Sequence, residues 1–208
     1  MRRSSVLAVA VAVVGSVTLG ACQDNKRATA TSRTVPSVQV TALPADSARS
    51  GGNGDLNPQQ VAAITNLVAG YTKQASVEPW ARGSTPAGLE AFFTADALAA
   101  ATGTDREVLT DTGLAKPTRD FTATVAPLSL TALFDPNGQP VYVSTTLDQQ
   151  LRATTATGPM SIRRSGELVL VPCDGRGCAA GEFRIRSYAL ITARTLPDGT
   201  TTTAKGKR

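Results

Sequence analysis

Apolar spacing changes period along this chain. From Asn57 onward, Val61, Ile64, Val68, Tyr71 and Ala75 recur at helical steps and predict one buried stripe. Asn57 is a good N-cap, Pro58 suits the first helical position, and Gln60 completes a capping-box pattern. The stripe is expected to end near Pro79-Trp80. Shorter helical starts follow. Ser84-Thr85-Pro86 precedes Leu89, Phe92 and Phe93; Thr94 precedes a turn over residues 95–101 with Leu98 inward. Thr104-Asp105-Arg106-Glu107 reads as a further capping box, opening a brief helix through Leu109.

After Lys116-Pro117 the period drops to two, the spacing of strands. Phe121, Ala123 and Val125 alternate with Thr122 and Thr124, and the run continues through Leu128, Leu130 and Leu133. Asp135-Pro136-Asn137-Gly138 is a turn. Val141, Val143, Thr145 and Leu147 alternate again, on a strand expected to reach Arg152. Residues 161–164 and 167–171 read as a hairpin turning at Ser165-Gly166. The last strand is expected over residues 183–195, with Phe183, Ile185, Ser187, Ala189 and Ile191 on one face and Arg184, Arg186, Tyr188 and Leu190 on the other. Helices first and antiparallel strands afterwards predict an α+β class, with N-terminal helices packed on a curved antiparallel sheet. The domain is expected over residues 56–196.

This order resembles the cone-shaped nuclear-transport-factor-two-like fold over about residues 56–195. Arg164-Ser165-Gly166-Glu167-Leu168 and Gly181-Glu182-Phe183-Arg184-Ile185 carry the likeness, the latter resembling that family's aromatic-basic-aliphatic last strand. The resemblance implies helices on the concave side of a bent sheet. It is shared by envelope lipoproteins, by subunits of membrane machinery, and by ketosteroid isomerases and polyketide cyclases, so the fold does not choose a function.

The start of the chain has its own pattern. Arg2 and Arg3 precede an apolar run over residues 6–17, and Leu19-Gly20-Ala21-Cys22 follows. A basic start, an apolar stretch and small residues at a cut site read as a secretory signal peptide over residues 1–21. The run is shorter than the roughly 20 residues that span a bilayer. Leu19-Gly20-Ala21-Cys22 resembles the lipobox of bacterial lipoproteins. That resemblance implies cleavage between Ala21 and Cys22 and a diacylglyceryl group on the Cys22 thiol. At ~0.8 kcal/mol per buried methylene, two chains anchor stably where one does not. The expected location is the extracytoplasmic face of the cell membrane, held by lipid.

Residues 22–55 are rich in Thr, Ser, Ala, Pro and Gly, and read as a flexible linker. Leu196-Pro197-Asp198-Gly199 reads as a turn, and residues 197–208 are expected to be a disordered basic tail. The net charge of +5 belongs mainly to the ends. Between residues 56 and 203, twelve basic residues face thirteen acidic ones. A nucleic-acid partner is therefore not expected.

The chain has no histidine, which removes Ser-His-Asp and Cys-His catalysis and His-ligated metals. Of the three cysteines, Cys22 is the one to which the lipobox resemblance assigns the lipid. Cys173 and Cys178 are expected to form a disulfide across a small loop, contributing about 2 kcal/mol in the chain-entropy model. No metal and no cofactor are expected. Tyr71, Trp80, Asp96 and Asp120 are the candidate pocket residues, with Asp111 a further carboxylate of the kind a cone-fold enzyme uses. Each has a plainer role: Tyr71 in the core, Trp80 sealing a helix end, Asp96 complementing a helix dipole. Tyr142, Val143, Tyr188 and Leu190 are candidates for an apolar docking patch. The leading reading is a monomeric, non-catalytic, lipid-anchored domain that binds an envelope protein or a small ligand. An accessory subunit of an envelope assembly or secretion complex, and a carboxylate-dependent isomerase or cyclase, stay open as alternatives.

Overall fold

A computed structural model describes residues 35–43, 54–173, 178–179 and 181–208 of the chain. Residues 1–34, with the expected signal segment, Ala21 and Cys22, lie outside them. The described residues all fall within one unit, residues 33–208.

Helix α1 spans Pro58–Thr72, and its capping box forms as the sequence predicts. The Gln60 N–H donates to Asn57 Oδ1 and the Asn57 N–H donates to Gln60 Oε1, both at 2.9 Å. Ile64, Val68, Tyr71 and Ala75 are fully buried, and Val61 packs at the edge. The helix then widens into a π-turn, Lys73–Val77, and runs on as α2, Glu78–Arg82. Three consecutive residues of the wide turn are buried, Ala75, Ser76 and Val77, where three successive side chains of an α-helix would fan over about 200°. Gly83, at φ +66°, ends the rod in the left-handed conformation. A 3₁₀ turn at Leu89–Ala91, α3 at Ala95–Thr102 and the one-turn α4 at Arg106–Leu109 complete the helical layer.

The sheet has six strands, all antiparallel: β1 Pro117–Val125, β2 Leu130–Phe134, β3 Pro140–Thr155, β4 Gly158–Pro172, β5 Phe183–Thr195 and β6 Thr201–Lys207. The order is β1-β3-β4-β5-β6, and β2 shares the β3 edge with β1. The α+β class is as the spacing predicts. The Asp135 side chain and backbone close the β2–β3 turn by accepting from Asn137, Gly138 and Gln139.

Four local expectations are corrected. Ser165-Gly166 is no turn: β4 runs straight through it, and Gly166 pairs Leu147 on one side and Leu190 on the other. The glycine is there for close approach, since at φ +144° a Cβ would run into the Ala189 carbonyl. The hairpin instead turns at Ala156-Thr157, between Thr155 and Gly158. Second, β5 changes face. Val169 pairs Ser187 while Leu170 pairs Ile185, so Arg186 is an extra residue, a bulge. Phe183 and Ile185 point inward, and after the bulge Tyr188, Leu190 and Thr192 do; Ala189 and Ile191 are exposed. Third, β5 is not the last strand. The expected basic tail is β6, paired along β5 from Thr195–Thr201 to Ala189–Lys207. Alternating Thr202, Ala204 and Gly206 gave little apolar signal, and pairing to an open edge supplied what burial did not.

Fourth, part of the expected linker packs on the domain. Leu128 N–H donates to the Thr41 carbonyl and Leu43 N–H to the Leu128 carbonyl, each at 2.8 Å. Val35 and Val38 pack against a cluster built on Val77, Trp80, Leu151 and Ile162, while Val40 and Ala42 pack against the larger core under α1 and α3. Cys173 and Cys178 are paired between β4 and β5, with Cα atoms 5.7 Å apart.

Candidate functional site

β4 carries the side chains inward as Met160, Ile162, Arg164, Leu168 and Leu170. Arg164 therefore sits where the alternation calls for an apolar residue, and it is fully buried. Its guanidinium is held from every side. Nη2 donates to Asp111 Oδ2 at 2.9 Å, and Nε to the Val108 carbonyl at 2.6 Å and Thr192 Oγ1 at 3.1 Å. Nη1 meets Ser76 Oγ, delivered by the π-turn, and Gln149 Oε1 at 3.4 Å. Asp111, also fully buried, shares its other oxygen with Arg194 Nη2 at 2.9 Å. One carboxylate thus serves two guanidiniums.

The end of α4 organises this cluster. Its last carbonyls face inward and each finds a donor from another element. Arg194 takes Glu107 and Thr110, Arg164 and Thr192 take Val108, and the Tyr71 hydroxyl takes Leu109 at 2.9 Å. Cations at a helix C-terminus complement the partial negative charge of its free carbonyls. Burial pushes the Tyr71 phenol up to about 12; Arg164 opposes that shift and Asp111 adds to it. For Arg164, burial works against the charge, but Asp111 and the bond to it prevail and raise its pKa. Gln149 Nε2, Thr72 Oγ1, Thr145 Oγ1 and Arg194 Nε are buried without a partner among the described residues.

The residues expected to share a pocket do not meet. Tyr71 lies in the larger core, edge-on to Phe93 with ring centres 5.5 Å apart. Trp80 lies in the other cluster, against Phe121 at 5.1 Å, and its Nε1 donates to the Ala115 carbonyl at 2.8 Å. Asp96 is exposed at the start of α3, beside a hollow with Arg186 and Arg208. Asp120 is exposed at φ +55° on β1, where it accepts from Thr154 Oγ1 and pairs Arg119. The expected apolar patch is absent as well: Val143, Tyr188 and Leu190 are buried, and Tyr142 carries Arg186 over its ring at 5.7 Å. Tyr188 instead donates to Asp105 Oδ2 at 2.6 Å.

Sequence reasoning named Asp111 but missed Arg164 and Arg194. The signal was present, since a charge at the apolar phase of a strand marks a buried ion. Reading β4 as a hairpin broke that phase at Ser165-Gly166. For metals, Cys173, Cys178 and Glu182 offer ligand atoms within 4.8 Å of one another. The two sulfurs are bonded to each other and Glu182 pairs Arg184, so this group is a staple, not a vacant ligand set. Comparison of the chain with models of protein families, with curated proteins and with solved structures finds no match.

Proposed function

We propose that the protein is a lipid-anchored, extracytoplasmic binding domain that performs no catalytic step of its own. The observation that carries this reading is Leu19-Gly20-Ala21-Cys22 directly after the apolar run over residues 6–17. The chemistry of the interior supports the second half. Tyr71 and Asp111 both spend their polar atoms on backbone or on counter-charges inside the fold. A general base must reach substrate, and these do not. Val35 packs on the domain. The thirteen residue steps from Cys22 to Val35 reach at most ~47 Å, at about 3.6 Å per residue. The body is held near the bilayer, where a partner or ligand of the envelope meets it.

The test is metabolic labelling with palmitate followed by membrane fractionation. Label enters the wild-type chain, and Cys22→Ser both loses the label and moves to the soluble fraction. A Cys22→Ser protein that stays with the membranes refutes the anchor.

A further inference from the structure

Between Gly83, α4 and β5 lies an open hollow of about 600 Å³, lined by Arg106, Glu107, Arg194, Ser84, Thr85 and Thr112 among others. We propose that this hollow binds an oxyanion, a carboxylate or phosphate group, between Arg106 and Arg194. The inference deepens the reading of the domain as a binding module and rests on it.

Charge is the first reason. The hollow and the cluster behind it hold three guanidiniums, Arg106, Arg164 and Arg194, against two carboxylates, Glu107 and Asp111. Asp111 is already divided between two cations. Arg194 is mostly enclosed, its side chain 12 % exposed, so water screens its charge weakly. All three of its hydrogen bonds leave from Nη2; Nε is buried without a partner, and Nη1 makes no hydrogen bond among the described residues. The fork is thus fixed in place with donor capacity left over, which favours a planar or tetrahedral oxyanion.

The second reason is the lining. Arg106 is exposed and its side chain makes no ion pair or hydrogen bond among the described residues. Ser84, Thr85 and Thr112 add hydroxyl donors, and their side chains are likewise unbonded among those residues. The Lys116 side chain folds closely over Gly83 at the rim and brings a further cation. Glu107 is the single carboxylate of the lining, and it is exposed to solvent. A held guanidinium at Arg194, an exposed one at Arg106 and the hydroxyls of the same lining suit an oxyanion rather than a cation.

The test uses the full chain in detergent, titrated with potassium phosphate and separately with potassium acetate. Potassium chloride at matched ionic strength is the control. Arginine Nε–Hε resonances report the site directly. A saturable shift at Arg194 is expected with phosphate, acetate or both, and none with chloride; the responding arm identifies the oxyanion. Arg106→Gln, which removes an exposed and unbonded side chain, is expected to raise the apparent Kd about tenfold. No saturable shift, a shift equal to that in chloride, or one unchanged by Arg106→Gln overturns the proposal. Palmitate labelling at Cys22 is read independently, so failure here is distinguishable from failure of the anchor.

Discussion

On the outer face of the sheet, Arg163 clasps Asp148 through two bonds, 3.0 Å and 2.9 Å long. On the inner face its neighbour Arg164 holds Asp111 at 2.9 Å. The chemistry and the lengths are the same, and the burdens are not. Arg163 is 62 % exposed, so water competes for both partners and salt screens them. Arg164 and Asp111 are both fully enclosed, and neither has solvent to fall back on. Removing one partner inside leaves an uncompensated charge in a low-dielectric core. The worth of an ion pair is therefore set by the layer in which it sits, not by its length.

The enclosed pair should show the greatest effect. Asp111→Ala should destabilise the fold by about 3–5 kcal/mol, since it strands two guanidiniums at once. Chemical denaturation of the purified protein measures this, and a loss under 1 kcal/mol would mean that water reaches the cluster. Next in size is the staple beyond the cluster. Cys173→Ser should cost about 2 kcal/mol through the freer unfolded chain, with the native spectrum kept; collapse of all structure would show that the bond does more than close a loop.

Tyr71 adds a pH dependence to the inner face. Its folded pKa of about 12 lies above the ordinary 10.0, so the folded state keeps the proton longer. The stability linked to it is complete below pH 10 and is lost as pH rises through 12. Tyr71→Phe should cost about 1 kcal/mol at neutral pH for the lost bond to Leu109 and flatten the decline above pH 10. Tyr188, whose pKa burial and Asp105 also raise, keeps part of that slope. An unchanged alkaline profile in Tyr71→Phe would show that the phenol is not shielded. The smallest effect belongs to the outer face: Arg163→Gln should leave the denaturation midpoint where it was, and a clear drop there would erase the contrast between the two faces.

How much of this was legible beforehand differs by element. Asn57, Pro58 and Gln60 announced α1 because capping is local chemistry between residues three apart. The alternation in β3 was equally readable, since one face is apolar and the other polar over many residues. Gly166 misled because a glycine in a turn and a glycine under a neighbouring strand look alike in one dimension. The Arg186 bulge reversed the inward face of β5 for the same reason. The site was least legible: Tyr71, Trp80, Asp96 and Asp120 have the chemical types of pocket residues, and they lie in separate places. Arg164 and Arg194, which do converge on Asp111, come from strands that fold against a helix more than fifty residues upstream.

The class of the fold, the capped first helix, the two-residue rhythm of the sheet and the lack of any imidazole follow from the order and kinds of residues. These depend on neighbours along the chain or on composition alone. Packing in three dimensions was needed to show that Thr201–Lys207 is a strand, that residues 35–43 pack on the body, and that Asp111 lies between two arginines. Each of those depends on a partner distant in sequence, and burial, which gives a charge its weight, exists only once that partner has arrived.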